Sequence, residues 1–227
     1  MPLFARILWW RIRYAVWYLG SRITLALANW RTMHGVKVGL APLLDEELGS
    51  RAFQQVQAAF DLIAEHAPRR LSRIARDIRY FWIRRAAYAP AYFIQSAKVC
   101  VLDRNFLTAP DTTPALIAAA VIHEATHARL ESRGIQYSEP ARPRIEAICD
   151  AQSAAFAQNL LDGGSLYRRI VEGRAGDPTH WTDQNLSRQM AEAKHTELEA
   201  AREELDQSEL PAWLKRVLHR VLRSRAA

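Results

Sequence analysis

The chain has 227 residues, 49% of them hydrophobic, enough to bury a core in one domain with appendages or in two small lobes. Its 31 Lys and Arg against 24 Asp and Glu give a formal charge of +7, which favours anionic surroundings without choosing among lipid, nucleic acid and acidic protein. Two cysteines, Cys100 and Cys149, exclude a disulfide-rich scaffold and a cysteine zinc knuckle, and favour a reduced compartment.

The first thirty-odd residues interleave Trp9, Trp10, Trp17 and Trp30 with Arg6, Arg11, Arg13, Arg22 and Arg31. The uncharged stretches fall far short of the roughly twenty residues that span a bilayer. The same interruptions argue against the continuous apolar core of a signal peptide. At about 100° per residue, Trp10, Tyr14 and Trp17 cluster on one side and Leu8, Ile12, Leu19 and Ile23 on another. Residues 1–34 are therefore predicted as an aromatic and basic helix that is buried by protein or lies on anionic headgroups. The expected location is cytoplasmic, or peripheral on the cytoplasmic membrane face.

Val36 to Leu40 reads as a short extended piece. A helix follows from about Leu44 to Ala67, where Leu48, Ala52, Val56, Ala59 and Ile63 recur at helical spacing and Pro68 marks the end. Arg69 to Asp77 is ambiguous, and Arg79 to Ile83 reads as a strand with a helix continued from Leu71 as its competitor. After Pro90, the alternating Tyr, Phe, Ile and Val of Ala91 to Leu102 make the best strand of the chain. Asp103 to Pro110 turns the chain towards a helix with Thr113 as N-cap and Pro114 at its first position, running to about Arg133 and stopping at Gly134. A second helix is predicted from between Pro140 and Pro143 to Gly163-Gly164, with a further turn or two over Leu166 to Gly173. Asp183 to Glu209 is charged and helix-favouring with a thin apolar stripe, and Trp213 to Arg223 is amphipathic and basic. Three regions follow: the terminal helix of 1–34, a central domain of 35–182 and a helical region of 183–227.

The chemistry concentrates in His123-Glu124-Ala125-Thr126-His127, followed after eighteen residues by Glu146-Ala147-Ile148-Cys149-Asp150. Residues four apart share a helix face, so His123 and His127 can direct their imidazoles to one zinc ion. Glu124, one step around the helix, can address a water instead of the metal and take its proton as the resulting hydroxide attacks a carbonyl. Glu146, on a helix returning beside the first, is the best candidate for the third ligand. Asp150, four residues on, is placed to accept the Nδ1-H of a ligating histidine, His123 for preference. Cys149 points roughly 100° from Asp150 around the helix and reads as packing rather than a fourth ligand.

His123-Glu-x-x-His127 with Glu146-x-x-x-Asp150 resembles the gluzincin branch of the zinc metallopeptidases, the thermolysin-like enzymes. The resemblance covers about Leu116 to Phe156. It implies zinc held by His123, His127 and Glu146, Glu124 as catalytic base, Asp150 supporting a histidine, and a peptide or protein substrate laid along a sheet edge within Ala91 to Leu102. It also implies a tyrosine nine residues before the third ligand that stabilises the tetrahedral intermediate, the place of Tyr137. For the histidine that such enzymes set opposite the metal, His180 is the candidate, with His195 behind it. The longer metzincin motif is disfavoured, because Leu130 and Arg133 stand where its glycine and third histidine belong. The expected fold is a small α+β zincin-like domain: a short mixed sheet beside the metal-binding helix pair, with further helices at both ends.

Two other classes compete with peptide hydrolysis. One is a non-catalytic, zinc-stabilised interaction module at an anionic membrane surface, suggested by the aromatic and basic chain ends. The other is a zinc hydrolase for a non-peptide acyl substrate, which could use the same activated water. Nucleic acid is a weaker partner: Arg69, Arg70, Arg73 and Arg76 could follow a phosphate backbone, but no fold motif makes that specific.

Overall fold

The computed structural model describes residues 26–41, 46–86, 89–160 and 182–207, together with 211–213, 215–216 and 218–220. Its fold class is α+β, built on a five-stranded mixed sheet of order β1-β2-β3-β5-β4. Strands β1 (Asn29–Met33) and β2 (Val36–Leu40) form an antiparallel hairpin in which Met33 faces Val36. The two turn residues, His34 at φ 49° and Gly35 at φ 79°, are both left-handed, as the tight hairpin turn that matches strand twist requires. His34 Nε2 lies 2.6 Å from Asp61 Oδ1, fastening the turn to the helix behind it. Residues 29–33 are thus the first strand of the sheet, which corrects the predicted helix over 1–34. Trp30, Thr32 and Met33 suit a pleated, half-buried strand, and the turn at His34-Gly35 gives them a partner. The part of that helix over residues 1–25 lies outside the described residues.

Helices α1 (Glu46–His66) and α2 (Pro68–Asp77) lead into β3 (Tyr80–Arg84), which pairs parallel with β2. The ambiguous stretch after Pro68 is therefore helical, with Leu71 and Ile74 buried one turn apart. The predicted strand of Ala91 to Leu102 is two strands, β4 (Ala91–Ile94) and β5 (Val99–Asp103), paired antiparallel. A 3-10 turn at Gln95–Ala97 and Lys98 at φ 53° reverse the chain between them. The apolar alternation resumes after this polar turn, so periodicity alone does not register the reversal. Strand β5 lies parallel to β3, and β4 forms the sheet edge beyond it. A short helix, α3 (Arg104–Thr108), occupies the predicted turn, because Asp103 accepts a hydrogen bond from Phe106 N at 2.9 Å and caps it.

One face of the sheet is covered by helices. Val36, Val38 and Leu40 of β2, Phe81 and Ile83 of β3, and Cys100 and Leu102 of β5 point into one core with Phe53, Val56, Phe60 and Ile63 of α1. The rings of Phe60 and Phe81 meet edge to face at 5.3 Å. Leu48, which the apolar pattern of α1 includes, lies instead on the exposed side. Helix α4 (Pro114–Glu131) completes the layer with Ile117, Ala118, Val121 and Ile122. Helix α5 (Arg142–Ala157) packs on α4, and the long α6 (Asp183–Gln207) is tied to the start of α5 by an ion pair between Arg142 and Asp183. The described residues of the C-terminal segment turn back on α6, with Lys215 Nζ donating to Asp206 O and His219 against Asp206 Oδ1, each at 2.8 Å. Among the described residues no helix is long and apolar enough to cross a membrane.

The other face of the sheet carries a row that runs straight through the register: Trp30, Gly39, Trp82, Val101 and Tyr92. Gly39 makes room for its neighbours, since a Cβ there would sit 2.7 Å from the Trp30 ring and 2.8 Å from that of Trp82. Replacing Gly39 with Val is expected to cost about 1–3 kcal/mol through overpacking. Urea titration should show this as a lower midpoint at unchanged slope.

Candidate metal centre

Helix α4 is apolar around most of its circumference, the pattern of a helix buried on all sides. It starts as predicted: Thr113 Oγ1 accepts from Leu116 N at 3.3 Å, and Pro114 opens the helix. It also stops at the predicted glycine. Gly134, at φ 77°, donates its N–H to Glu131 O at 2.8 Å, and Ile135 N reaches back to Leu130 O at 3.0 Å. This paired closure leaves the chain free to turn back through Tyr137 and a 3-10 turn at Glu139–Ala141 into α5. The two helices then lie close, since Ser153 Oγ of α5 donates to Ala119 O of α4 at 3.1 Å.

This packing carries polar groups into the interior. His123 is 4% exposed, and Glu124 and Glu146 are each 6% exposed. His123 Nε2 lies 3.2 Å from His127 Nε2 and 3.2 Å from Glu146 Oε2, while His127 Nε2 lies 3.4 Å from Glu146 Oε1. On the far side of its ring, His123 Nδ1 lies 3.2 Å from Asp150 Oδ1. Glu124 Oε1 stands 4.0 Å from His123 Nε2, at the margin of the cluster. The structure therefore gathers His123, His127 and Glu146 against one another, with Glu124 at their margin and Asp150 behind the His123 ring.

His123, His127 and Glu146 turn ring nitrogens and carboxylate oxygens towards one another, an arrangement that protons on the imidazoles or a cation could satisfy. Glu146 enters it as a carboxylate. Burial opposes its ionisation, but hydrogen bonding with His123 and His127, the charge of a protonated His127 and the Tyr137 hydroxyl outweigh that penalty. Its carboxyl is held well below the usual carboxylate range.

Tyr137 also reaches the cluster. Its hydroxyl donates to Glu146 Oε1 at 2.5 Å, its ring stands edge-on to His127 at 5.4 Å, and the Arg142 guanidinium lies 5.3 Å from its centre. Its hydroxyl is thus engaged with a candidate ligand. His195 is not part of the cluster; it sits exposed on α6 beside Glu199. His180 lies outside the described residues.

No known protein family, curated protein or solved structure matches the chain. The local geometry contains one residue that sequence reasoning set aside. Cys149 is fully buried, and its sulfur and one ring nitrogen each of His123 and His127 all lie within 4.8 Å of one another. The signal was its position three residues after Glu146, which puts Cys149 on one flank of that carboxylate and Asp150 on the other. Cys100, the other cysteine, is not disulfide-bonded to it. Burial, and secondly the charge of Glu124, push the Cys100 thiol well up, so it stays protonated.

The donor set of two imidazoles and a carboxylate could hold a borderline ion such as zinc. Asp150→Asn should weaken zinc binding about 10- to 100-fold by removing the partner that orients His123. His127→Ala should abolish stoichiometric binding. Titration against a chromophoric chelator checks both, and unchanged affinity in both variants would place the metal elsewhere.

Proposed function

We propose that the chain is a zinc-dependent hydrolase of peptide amides, related in its active-site layout to the gluzincins. The observation that carries this reading is the approach of two imidazole nitrogens, 3.2 Å apart, to the two oxygens of one buried carboxylate, His123 Nε2 to Glu146 Oε2 at 3.2 Å and His127 Nε2 to Glu146 Oε1 at 3.4 Å. Two ligands about 2.0–2.1 Å from a tetrahedral ion stand about 3.3 Å apart, which is the spacing of the two imidazole nitrogens.

In this reading His123 Nε2, His127 Nε2 and the Glu146 carboxylate hold the ion. When bound, it would supply a Lewis acid that lowers the pKa of water to about 7 and polarises a carbonyl. The protein side chains handle the protons. Glu124, buried and next to the cluster, accepts one from the attacking water and later delivers it to the departing amine. Asp150 fixes the tautomer and direction of His123. Tyr137 steadies Glu146 through its hydroxyl.

A peptide is favoured over other acyl compounds because β4, a sheet edge of four residues, packs beside α4. An extended chain could add to that edge by main-chain hydrogen bonds, with its carbonyl brought towards Glu124.

Cys149 supports a second reading. If its sulfur joins the three donors, the site has four protein ligands, the closed arrangement of a structural zinc centre. The two readings separate cleanly. Glu124→Gln should retain zinc and lose at least about 10²-fold of peptide-library cleavage, the scale of a lost general base. Cys149→Ser should leave zinc affinity intact if the centre is catalytic. Equal cleavage by the Glu124 variant and wild type would remove the assigned base. Loss of zinc from the Cys149 variant, with no cleavage by wild type, would establish the structural centre.

A further inference from the structure

A cavity of about 310 Å³ lies between α2, α4 and α5, lined by Arg70, Arg73, Arg129 and Arg133 at its polar side. Its floor is aliphatic, formed by Ile74, Ile122, Leu130 and Ile148. Its lining takes Ile122, Ala125, Thr126, Arg129 and Leu130 from α4 and includes none of His123, His127, Glu146 and Asp150. It is therefore a separate place from the metal cluster, although the same two helices build both.

Four arginines line this cavity, and among the described residues lining it none is acidic. The neighbouring carboxylate, Asp77, is clamped by Arg76 through bonds of 2.7 and 3.0 Å. Arg70 spends one donor on Gln152 O at 2.9 Å, which fixes its head against α5. Burial and mutual repulsion weaken the hold of two of these arginines on their protons without discharging them. Burial and then Arg73 pull Arg70 below its ordinary value, and burial, then Arg133 and Arg73, do the same to Arg129. Ile148, at 37% exposure, leaves apolar surface open beside this charge. A second hollow of about 370 Å³ shares Arg70 and Arg73 and continues past Pro68 and Phe156.

We propose that this cavity binds an amphipathic phosphate, with the phosphate held between the arginines and an apolar group laid on the isoleucine floor. Phosphate suits the site better than a single carboxylate because its several oxygens and double charge can engage more than one planar guanidinium fork. The volume fits a small ligand. A polynucleotide fits less well, since the arginines surround a hollow instead of forming a stripe, and the floor offers aliphatic groups where a base would need a ring. The phosphate could come from a free metabolite or from an anionic lipid headgroup.

Calorimetry on the full chain with hexyl phosphate, below its micelle concentration, is the test. Hexyl phosphate should bind saturably and at least about tenfold more tightly than either inorganic phosphate or hexanol, since both halves of the site contribute. Arg73→Gln combined with Arg133→Gln, both at exposed positions, should weaken binding at least about tenfold. Zinc content should not change. Displacement of hexyl phosphate by excess inorganic phosphate from wild-type protein gives the same information should the variant fail to fold. Flotation with phosphatidylcholine vesicles that contain phosphatidic acid, lost in the variant, would assign the headgroup source; saturable binding without flotation would assign a free ligand. Hexyl phosphate binding no tighter than hexanol, or unaltered in the variant, overturns the proposal. So does a salt-dependent nucleic-acid mobility shift in its place.

Discussion

Burying ionisable groups between two helices is the constraint around which this fold is organised. His123, Glu124 and Glu146 are almost entirely removed from water, and none of them could be left there alone at tolerable cost. Each is matched within a few ångströms by another member of the set. The surrounding architecture keeps those matches in place. Small residues let α4 and α5 approach until Ser153 bonds to Ala119 O, the glycine closure at Gly134 aims the returning chain, and the sheet backs α4 with a continuous apolar wall.

Removing one member of such a cluster leaves its partners buried and unmatched. For that reason, loss of metal binding in a His127 variant should be judged beside a measurement of folding. The Asp150 substitution is gentler, because Asp150 is only half-buried and an asparagine keeps its shape. Chemistry and stability are linked most closely at Glu146, which candidate ion, two histidines and Tyr137 would all engage.

Much of the site was legible in the sequence, because helical spacing is local information. His123 and His127, one turn apart, had to share a face, and Thr113-Pro114 and Gly134 mark the helix ends by local chemistry alone. Glu146 and Asp150 were legible for the same reason once a return helix was granted. Cys149 was passed over because its direction was measured against Asp150 instead of Glu146. The sheet was less legible. A period of two says that Tyr92 and Val101 lie on faces, but not that a 3-10 turn and Lys98 fold one apolar run into two antiparallel strands. Whether Trp30 belongs to a helix or a strand likewise depends on a pairing partner, here Gly39, that periodicity cannot specify. The arginine cavity required tertiary structure, since Arg70 and Arg73 meet Arg129 and Arg133 only after α2 packs on α4.

The short edge at β4 sets a length scale for anything that joins the sheet. Among the described residues β4 ends the sheet on that side, and its four residues span about 13 Å, room for the alternating groups of a few residues of a partner strand. Pro90 precedes it and the turn at Gln95 ends it, so neither side extends the ladder. An edge of this length admits one brief extended segment while giving little purchase to a second copy of the sheet, and so guards against open-ended stacking of the kind that longer bare edges invite.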